Sequence, residues 1–502
     1  MMSSSLHGSR ERSGVQFRFI GVGLLLCFAL FFFWQQPPAS LLLLVVAACL
    51  AWIRIEVAIA LLPLTFPYYL DLKPLTASGS PSFSLIELAL FICLGVALLR
   101  NLLLPKERVS SWVWLHRLRS EARPFLLPGA LFFIGATLAV LVSPDLHASL
   151  RAYRQEIIEP IIYLLLILRY VQTRIDLARA IGALLLSALI AAGMGIIQGL
   201  FHISSDLLYV NATTFRVNGP YGSPNNLAFL LDRTLPILLS LTFVGLFRGS
   251  SGKPFQSPAW RDPLRLVCLL LMIPLLWALY WTGSRGAELA LGGVCFLLIL
   301  FEARHWIVVT LALVIGGLGG WIFRARIGQF LNPSGHGVVS ERLLLWKAGL
   351  LIIRDHLLLG TGPDSFNTLY KPTAPNSYAL QALDGQPFPD SYNPHLSHPH
   401  NFVLDFWIST GLLGIAAFFW LLGAFAVVLR RAYLLCKPLR EGSLLQRLLL
   451  GIAGSIIAMV AHGLVDNAYF LPDLAMLFWF FIGMLLVIQH IALHEGNDLR
   501  LL

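Results

Sequence analysis

Apolar and polar positions along this chain segregate into long blocks instead of alternating at a strand or amphipathic-helix period. Fourteen apolar runs stand out: Phe19 to Trp34, Leu41 to Ile53, Val57 to Leu70, Leu85 to Leu99, Phe125 to Val142, Ile157 to Leu168, Ala180 to Leu200, Leu227 to Leu246, Leu266 to Trp281, Ala287 to Phe301, Trp306 to Phe323, Phe402 to Leu429, Leu448 to Val465 and Leu474 to Ile491. Each is long enough, or nearly so, to cross a hydrocarbon layer as a helix. The second, third and sixth are short and read as half-spans or as parts of merged spans. The expected fold is an all-α polytopic bundle of about 12–14 spans. One polar stretch is much longer than the others, from Arg324 to Asn401. The expected organisation is residues 1–323 as N-terminal membrane helices, 324–401 as a long loop and 402–502 as C-terminal membrane helices, all within one membrane domain. Inside the loop, Ser340 to Gly360 reads as a helix lying on the membrane surface, with Glu341, Arg342, Lys347 and Arg354 interrupting apolar residues.

Composition supports the bilayer as solvent. Hydrophobic residues make up 57% and charged residues 12% of the chain, with mean hydropathy +0.76; soluble domains carry about 25% charge. The net charge of +10 raises nucleic acid as a partner, but the basic residues fall in short clusters between apolar runs, as in proteins that use charge to orient in a membrane. Nucleic acid is therefore not an expected partner, and the lipid bilayer is. The six cysteines show neither a disulfide framework nor a zinc-type spacing. The first apolar run follows Arg10, Arg12 and Arg18 without a clear cleavage site, so it reads as an uncleaved span. The connector from Arg100 to Arg123 is basic, carries Trp112 and Trp114, and reads as an interfacial segment on anionic lipid.

With a cytoplasmic N-terminus and every run crossing, 24 of the 36 Lys and Arg fall inside and 11 outside, six of the latter in the long loop. This satisfies the positive-inside rule. Both termini are then cytoplasmic and the loop lies outside.

That orientation makes the exceptions informative. Arg151, Arg154, Arg216 and Arg285 sit on the outer face beside or within span ends, and an arginine at the helix centre costs roughly 2.5–3.5 kcal/mol on insertion scales. Snorkelling to headgroups explains any one of them. Four from separate connectors also fit a converging anion site, because guanidinium forks match phosphate oxygens. Arg216 opens the stretch Arg-Val-Asn-Gly-Pro-Tyr-Gly-Ser-Pro-Asn-Asn, after which a helix begins with Asn225 or Asn226 available to cap it. Arg285 is held at the surface by the five-residue connector Thr282 to Gly286.

The loop adds His395, His398 and His400 in Asn-Pro-His-Leu-Ser-His-Pro-His-Asn. Imidazole that takes a proton near pH 7 suits a general base acting on a hydroxyl. A zinc site and simple capping of the helix starting near Phe402 remain the other readings. Gly360-Thr361-Gly362 has no strand-to-helix context for a nucleotide loop. A transporter or flippase is the reading from another class, resting on the intramembrane pair Asp232 and Arg233, although the two halves of the chain do not match each other.

Taken together, these residues resemble the O-antigen ligase and O-antigen polymerase superfamily of bacterial envelope glycosyltransferases. The matching features occur in family order. They are Arg216 with Gly219 and Ser223-Pro224-Asn225; Ser284-Arg285-Gly286; Arg342 with Trp346; His356-Leu357-Leu358-Leu359-Gly360-Thr361-Gly362; and His398-Pro399-His400-Asn401 with Leu404, then Gly411-Leu412-Leu413-Gly414. The family often has an acidic residue just before the last stretch, where this chain has Ser409-Thr410. The resemblance implies a multi-pass protein of the bacterial inner membrane with a periplasmic loop. It would transfer a glycan from undecaprenyl pyrophosphate to an acceptor hydroxyl, with lipid A-core favoured as acceptor and a growing repeat-unit chain as the alternative. It assigns catalytic roles to His400, Arg285 and Arg216. The expected substrate contacts are Arg154, Arg342, His398, Asn401 and Asn225. No cofactor and no metal are expected, and inversion at the anomeric carbon is.

Overall fold

The computed structural model describes residues 19–31, 37–74, 82–105, 107, 114–115, 118–203, 209–211, 214–245, 262–302, 338–388, 393, 396–439 and 442–498. The eleventh apolar run and His395 lie outside them.

The chain is an all-α polytopic bundle. The apolar runs become α1 (Phe19–Phe31), α2 (Pro37–Ile53), α3 (Ile55–Leu61), α4 (Leu85–Leu103), α5 (Arg123–Leu141), α6 (Leu146–Tyr153), α7 (Glu159–Tyr170), α8 (Arg174–Phe201), α9 (Pro224–Phe243), α10 (Pro263–Thr282) and α11 (Arg285–Glu302). The loop contributes α12 (Val338–Asp355), α13 (Phe366–Tyr370) and α14 (Tyr378–Leu383). α15 (Phe402–Cys436), α16 (Gly442–Gly463) and α17 (Pro472–Asp498) complete the chain. Two antiparallel ribbons, Lys73–Pro74 with Ser82–Phe83 and Tyr209–Asn211 with Thr214–Phe215, are the strands among the described residues.

Eight described helices are long and apolar enough to span, and nine if the bent pair α2 and α3 counts as one span. The two short runs of that pair are joined at Arg54 with a bend of 119°, the second leg continuing as a 3-10 helix over Leu62–Tyr68. The other short run is lengthened differently. α6 and α7 are joined by a π-helical turn, Arg154–Ile158, a distortion frequent at functional sites.

Burial sorts the helices. α17 is buried all round and α9 nearly so, whereas α10 leaves most of its surface outward. A helix apolar on every side belongs at the centre of a membrane bundle, while outward leucines meet lipid. At one end of the bundle Arg100 donates to the Trp52 carbonyl at 3.0 Å and pairs with Glu107, and Arg174 pairs with Glu495 at 2.5 Å. The opposite end carries the residues singled out by charge. Beneath that end lies an aromatic floor. Phe406 stacks on Phe418 with centroids 3.9 Å apart and meets Phe470 at 4.8 Å and Tyr469 at 5.0 Å, contacts each worth about 0.5–1.5 kcal/mol beyond area burial.

The loop helix α12 packs one face against its own loop. Leu344, Leu345, Ala348 and Ile352 are buried against Phe366, Tyr370, Tyr378 and Ile408, so α12 is the spine of a small packed unit seated on α15. Leu343 and Leu350 on its other face stay exposed.

α15 is broken at Gly411, whose φ of +67° and ψ of −175° lie outside the helical region. The loop backbone satisfies the groups freed there: Thr361 N donates to the Ile408 carbonyl at 2.7 Å and Leu412 N to the Leu358 carbonyl at 3.1 Å. A Cβ at 411 would stand 2.3 Å from the Leu358 oxygen, so glycine is required by both dihedral and space. Gly360-Thr361-Gly362 is thus one half of a joint whose other half is the Gly-Leu-Leu-Gly stretch.

Candidate active site

Helix ends and the turns between them deliver the site. Ser223 caps α9, its Oγ accepting from Asn225 N at 3.3 Å with Pro224 at the first helical position. The expected caps do other work, because Ser223 already occupies that position. Asn226 donates to Tyr69 Oη at 3.0 Å. Asn225 bridges: its oxygen accepts from Arg216 Nη2 at 2.8 Å and its nitrogen donates to Asp466 Oδ2 at 2.7 Å. Arg216 also donates through Nε to the Thr282 carbonyl at 2.5 Å. His400 donates from Nδ1 to Asp466 Oδ1 at 2.6 Å. One continuous line therefore runs from the α10 terminus through Arg216, Asn225 and Asp466 to His400.

Charge gathers around that line. Burial pushes the Arg216 pKa down against the pull of Asp466, and the nearby positive charges of Arg285 and Arg342 push it further; guanidinium nonetheless stays charged. Arg216 thus lies within electrostatic reach of two other arginines, a cost relieved by an anion among them. α12 also reaches the histidine, with Trp346 Nε1 donating to the His400 carbonyl at 3.4 Å.

His400 is held in an unusual backbone state. Its φ is +50°, which is uncommon for a residue with a side chain and concentrates at functional sites. The next residue, Asn401, begins α15. Its Oδ1 accepts from Val403 N at 3.0 Å and Leu404 N at 3.2 Å, and its Nδ2 donates to the Leu464 carbonyl at 3.0 Å. Asn401 therefore caps a helix and ties it to the turn carrying Asp466. That turn is pinned by Asn467, whose Oδ1 accepts from the amides of Tyr469 and Phe470, each at 3.0 Å.

His398 packs edge-on against His400, centroids 4.3 Å apart. Enclosure by protein and the charge of His400 push its pKa down to about 3 against the pull of Asp466, leaving it neutral near pH 7. Burial opposes ionisation of Asp466, but the charge of His400 and its hydrogen bond, followed by the fields of His398 and His462, hold the carboxyl well below the usual range.

A second histidine–carboxylate pair lies deeper. His462 donates from Nδ1 to Asp232 Oδ2 at 2.6 Å, and Ser284 Oγ is 3.3 Å from Nε2. The Ser-His-Asp order resembles a nucleophilic triad, but side-chain exposures of 1% for His462 and 0% for Asp232 close it to substrates. What it does is hold the Ser284-Arg285-Gly286 connector. A Cβ at 286 would stand 2.5 Å from His462 Cδ2, so the connector rests directly on this ring. Asp232 and Arg233 are not bonded to each other as a pair: Arg233 donates to the Ala468 carbonyl at 2.6 Å. Consecutive residues on a helix point apart.

Arg154 is placed elsewhere. It pairs with Glu87 and, at 3.1 Å, with Glu159, next to the capping box that Glu87 forms with Ser84 at the start of α4. The structure does not bring it to the His400 line.

Two groups among the described residues gather three possible metal ligands within 4.8 Å of one another: His398, His400 and Asp466, and, at the opposite end, Glu121, His490 and His494. The first supplies the acidic ligand that the histidine motif by itself lacks. Asp466 and His462 were the functional candidates missed in the sequence; the available signal was an acid and a histidine at the outer end of the thirteenth run.

The fold and this site define a polytopic membrane protein in which an arginine cluster faces a histidine–carboxylate pair. Residues 269–419 match the family model Wzy_C, described as O-antigen ligase, and the resemblance read from the sequence is borne out over that segment. No curated protein matches the chain. The matched segment contains Arg285, Arg342, His398, His400 and Asn401, and the structure adds Arg216, Asn225 and Asp466 from outside it. The family supports a membrane glycosyltransferase-like enzyme acting in glycan transfer of the ligase or polymerase type.

Proposed function

We propose that the protein transfers a glycan from an undecaprenyl-pyrophosphate carrier to an acceptor hydroxyl on the periplasmic side of a bacterial inner membrane, with lipid A-core as acceptor. The observation that supports this reading is the hydrogen-bonded line from Arg216 through Asn225 and Asp466 to His400, which joins an arginine to a histidine. The donor's pyrophosphate lies against Arg216 and Arg285, with Arg342 at its edge. Asp466 fixes the His400 tautomer with Nδ1 as donor, leaving Nε2 to take the acceptor proton. The acceptor oxygen forms a bond to the anomeric carbon from the face opposite the leaving group, so the configuration inverts. The bond from that carbon to phosphate breaks, and the lipid pyrophosphate departs with the electron pair. The arginines stabilise the charge that grows on it, as preorganised donors do in other transfer reactions. In this reading they replace a divalent ion, and no metal takes part.

The test is transfer by purified protein in detergent. His400→Ala and Arg285→Ala are expected to abolish it while both variants still insert and purify. Full activity of either overturns the assigned roles, and loss of wild-type activity in EDTA assigns His398, His400 and Asp466 to a metal instead. Ligase and repeat-unit polymerase separate on a glycolipid gel of a deletion strain: a lost ligase removes every capped species, and a lost polymerase leaves core bearing one unit.

A further inference from the structure

Beside His398 a cleft of about 330 Å³ opens between the π-turn, the α15 start and the turn before α17. Its lining includes Glu156, Asp364 and Asp405, with Arg151 the cation among them. Arg151 pairs with Asp364 at 3.6 Å. The other two carboxyls are buried, Glu156 at 7% and Asp405 at 4% exposure. Each leaves an oxygen, Glu156 Oε2 and Asp405 Oδ2, with no hydrogen-bond partner. Buried polar atoms are ordinarily bonded, and exceptions in a cleft call for a missing partner. The lining also includes Tyr69 and Phe470 together with Leu471 and Pro472.

Carboxyl oxygens that need donors, facing rings and aliphatic side chains, match a sugar: its hydroxyls donate, and its C–H face lies on apolar surface. We propose that this cleft is the subsite for a non-phosphorylated sugar of the acceptor, whose hydroxyls bond Glu156 and Asp405 and whose reacting end reaches His400 past His398. The two substrates of the reaction then divide, the anionic carrier going to the arginines and the neutral sugar to the buried carboxyls. This deepens the proposed glycan transfer and rests on it for the word acceptor.

The experiment measures binding without the donor. Dephosphorylated core oligosaccharide, released by mild acid from the producing bacterium's lipopolysaccharide, is titrated against the full-length protein in detergent by saturation-transfer NMR. Wild type is expected to bind. Glu156→Gln and Asp405→Asn should each weaken binding at least ten-fold. Leu72→Trp, which plugs the cleft from its exposed rim while leaving both acids, should do the same. No binding by wild type, or binding unchanged in Leu72→Trp and both acid variants, overturns the subsite. A parallel transfer assay separates the two ideas. Cleft-dependent binding without wild-type transfer sinks the glycosyltransferase reading alone, and transfer whose acceptor KM ignores all three cleft variants sinks the subsite alone.

Discussion

Two histidine–aspartate pairs among the described residues share the same 2.6 Å spacing from Nδ1 to oxygen in two different settings. His400 with Asp466 stands at the bundle's end, its ring 19% exposed, and continues through Asn225 to an arginine. His462 with Asp232 lies sealed among helices, stacked on Phe229 with centroids 4.1 Å apart, and continues to a serine in the connector that carries Arg285. Geometry within the pair is therefore not what marks chemistry here. Access and the next partner along the line distinguish a pair that meets substrate from one that holds another residue in place.

Replacing one carboxyl at a time gives the largest contrast. Asp466→Asn should reduce transfer by roughly 10²–10⁴-fold in protein that stays folded, the range of lost general-base assistance. Asp232→Asn should act on stability instead. Removing one partner of a buried pair costs about 3–5 kcal/mol, visible as early melting, while protein that stays folded keeps transfer within about ten-fold. If Asp232→Asn melts normally and is inactive, the deep pair is chemical and the distinction collapses.

A smaller effect is expected at the bridge. Asn225→Ala removes both bonds between Arg216 and Asp466. Hydrogen bonds to charged groups are worth about 1.5–3 kcal/mol, so transfer should fall by about ten- to a hundred-fold, read as kcat with donor KM also raised. An unchanged kcat would show that the two halves of the site work without their link.

The smallest is a pH effect that touches only the exposed side. His398, pushed down to about 3, stays neutral in the folded protein where the unfolded chain takes a proton below about 6.5. Its contribution is complete above that value and is lost as pH falls from about 6.5 towards 3. Asp466, held low, titrates only below the usual carboxylate range, so it adds nothing between pH 7 and 5, and the comparison with His398→Gln extracts the histidine's share from that of the other titrating groups. Melting temperature should drop across that interval in wild type and drop less in His398→Gln; equal drops would remove the histidine from the account.

Much of the architecture was legible in the apolar runs, because span length and charge placement are one-dimensional signals. The charge pattern also singled out Arg216, Arg285 and the His400 motif, which the fold brings to one end. What it could not show was pairing at a distance. Asp466 lies 66 residues from its histidine and Asp232 lies 230 from its own, and each looks like an ordinary acid near a helix end until the helices pack. The same holds for Arg154, whose outer-face position gives no sign that Glu87 and Glu159 receive it. The bend between α2 and α3 was hidden because two short apolar runs look alike whether they stack, fold back or cross.

The joint at Gly411 bears on engineering. Loop exchange between related enzymes is the natural way to move acceptor preference, and a loop graft would normally be cut at the ends of residues 324–401. Here the loop's Leu358 and Thr361 are bonded to α15 backbone on both sides of Gly411, so the loop and the first turns of the following helix form a single mechanical part. A chimera that brings the loop without residues 402–414 would seat a foreign turn against an unmatched break. The transferable unit ends after Gly414, not before Phe402.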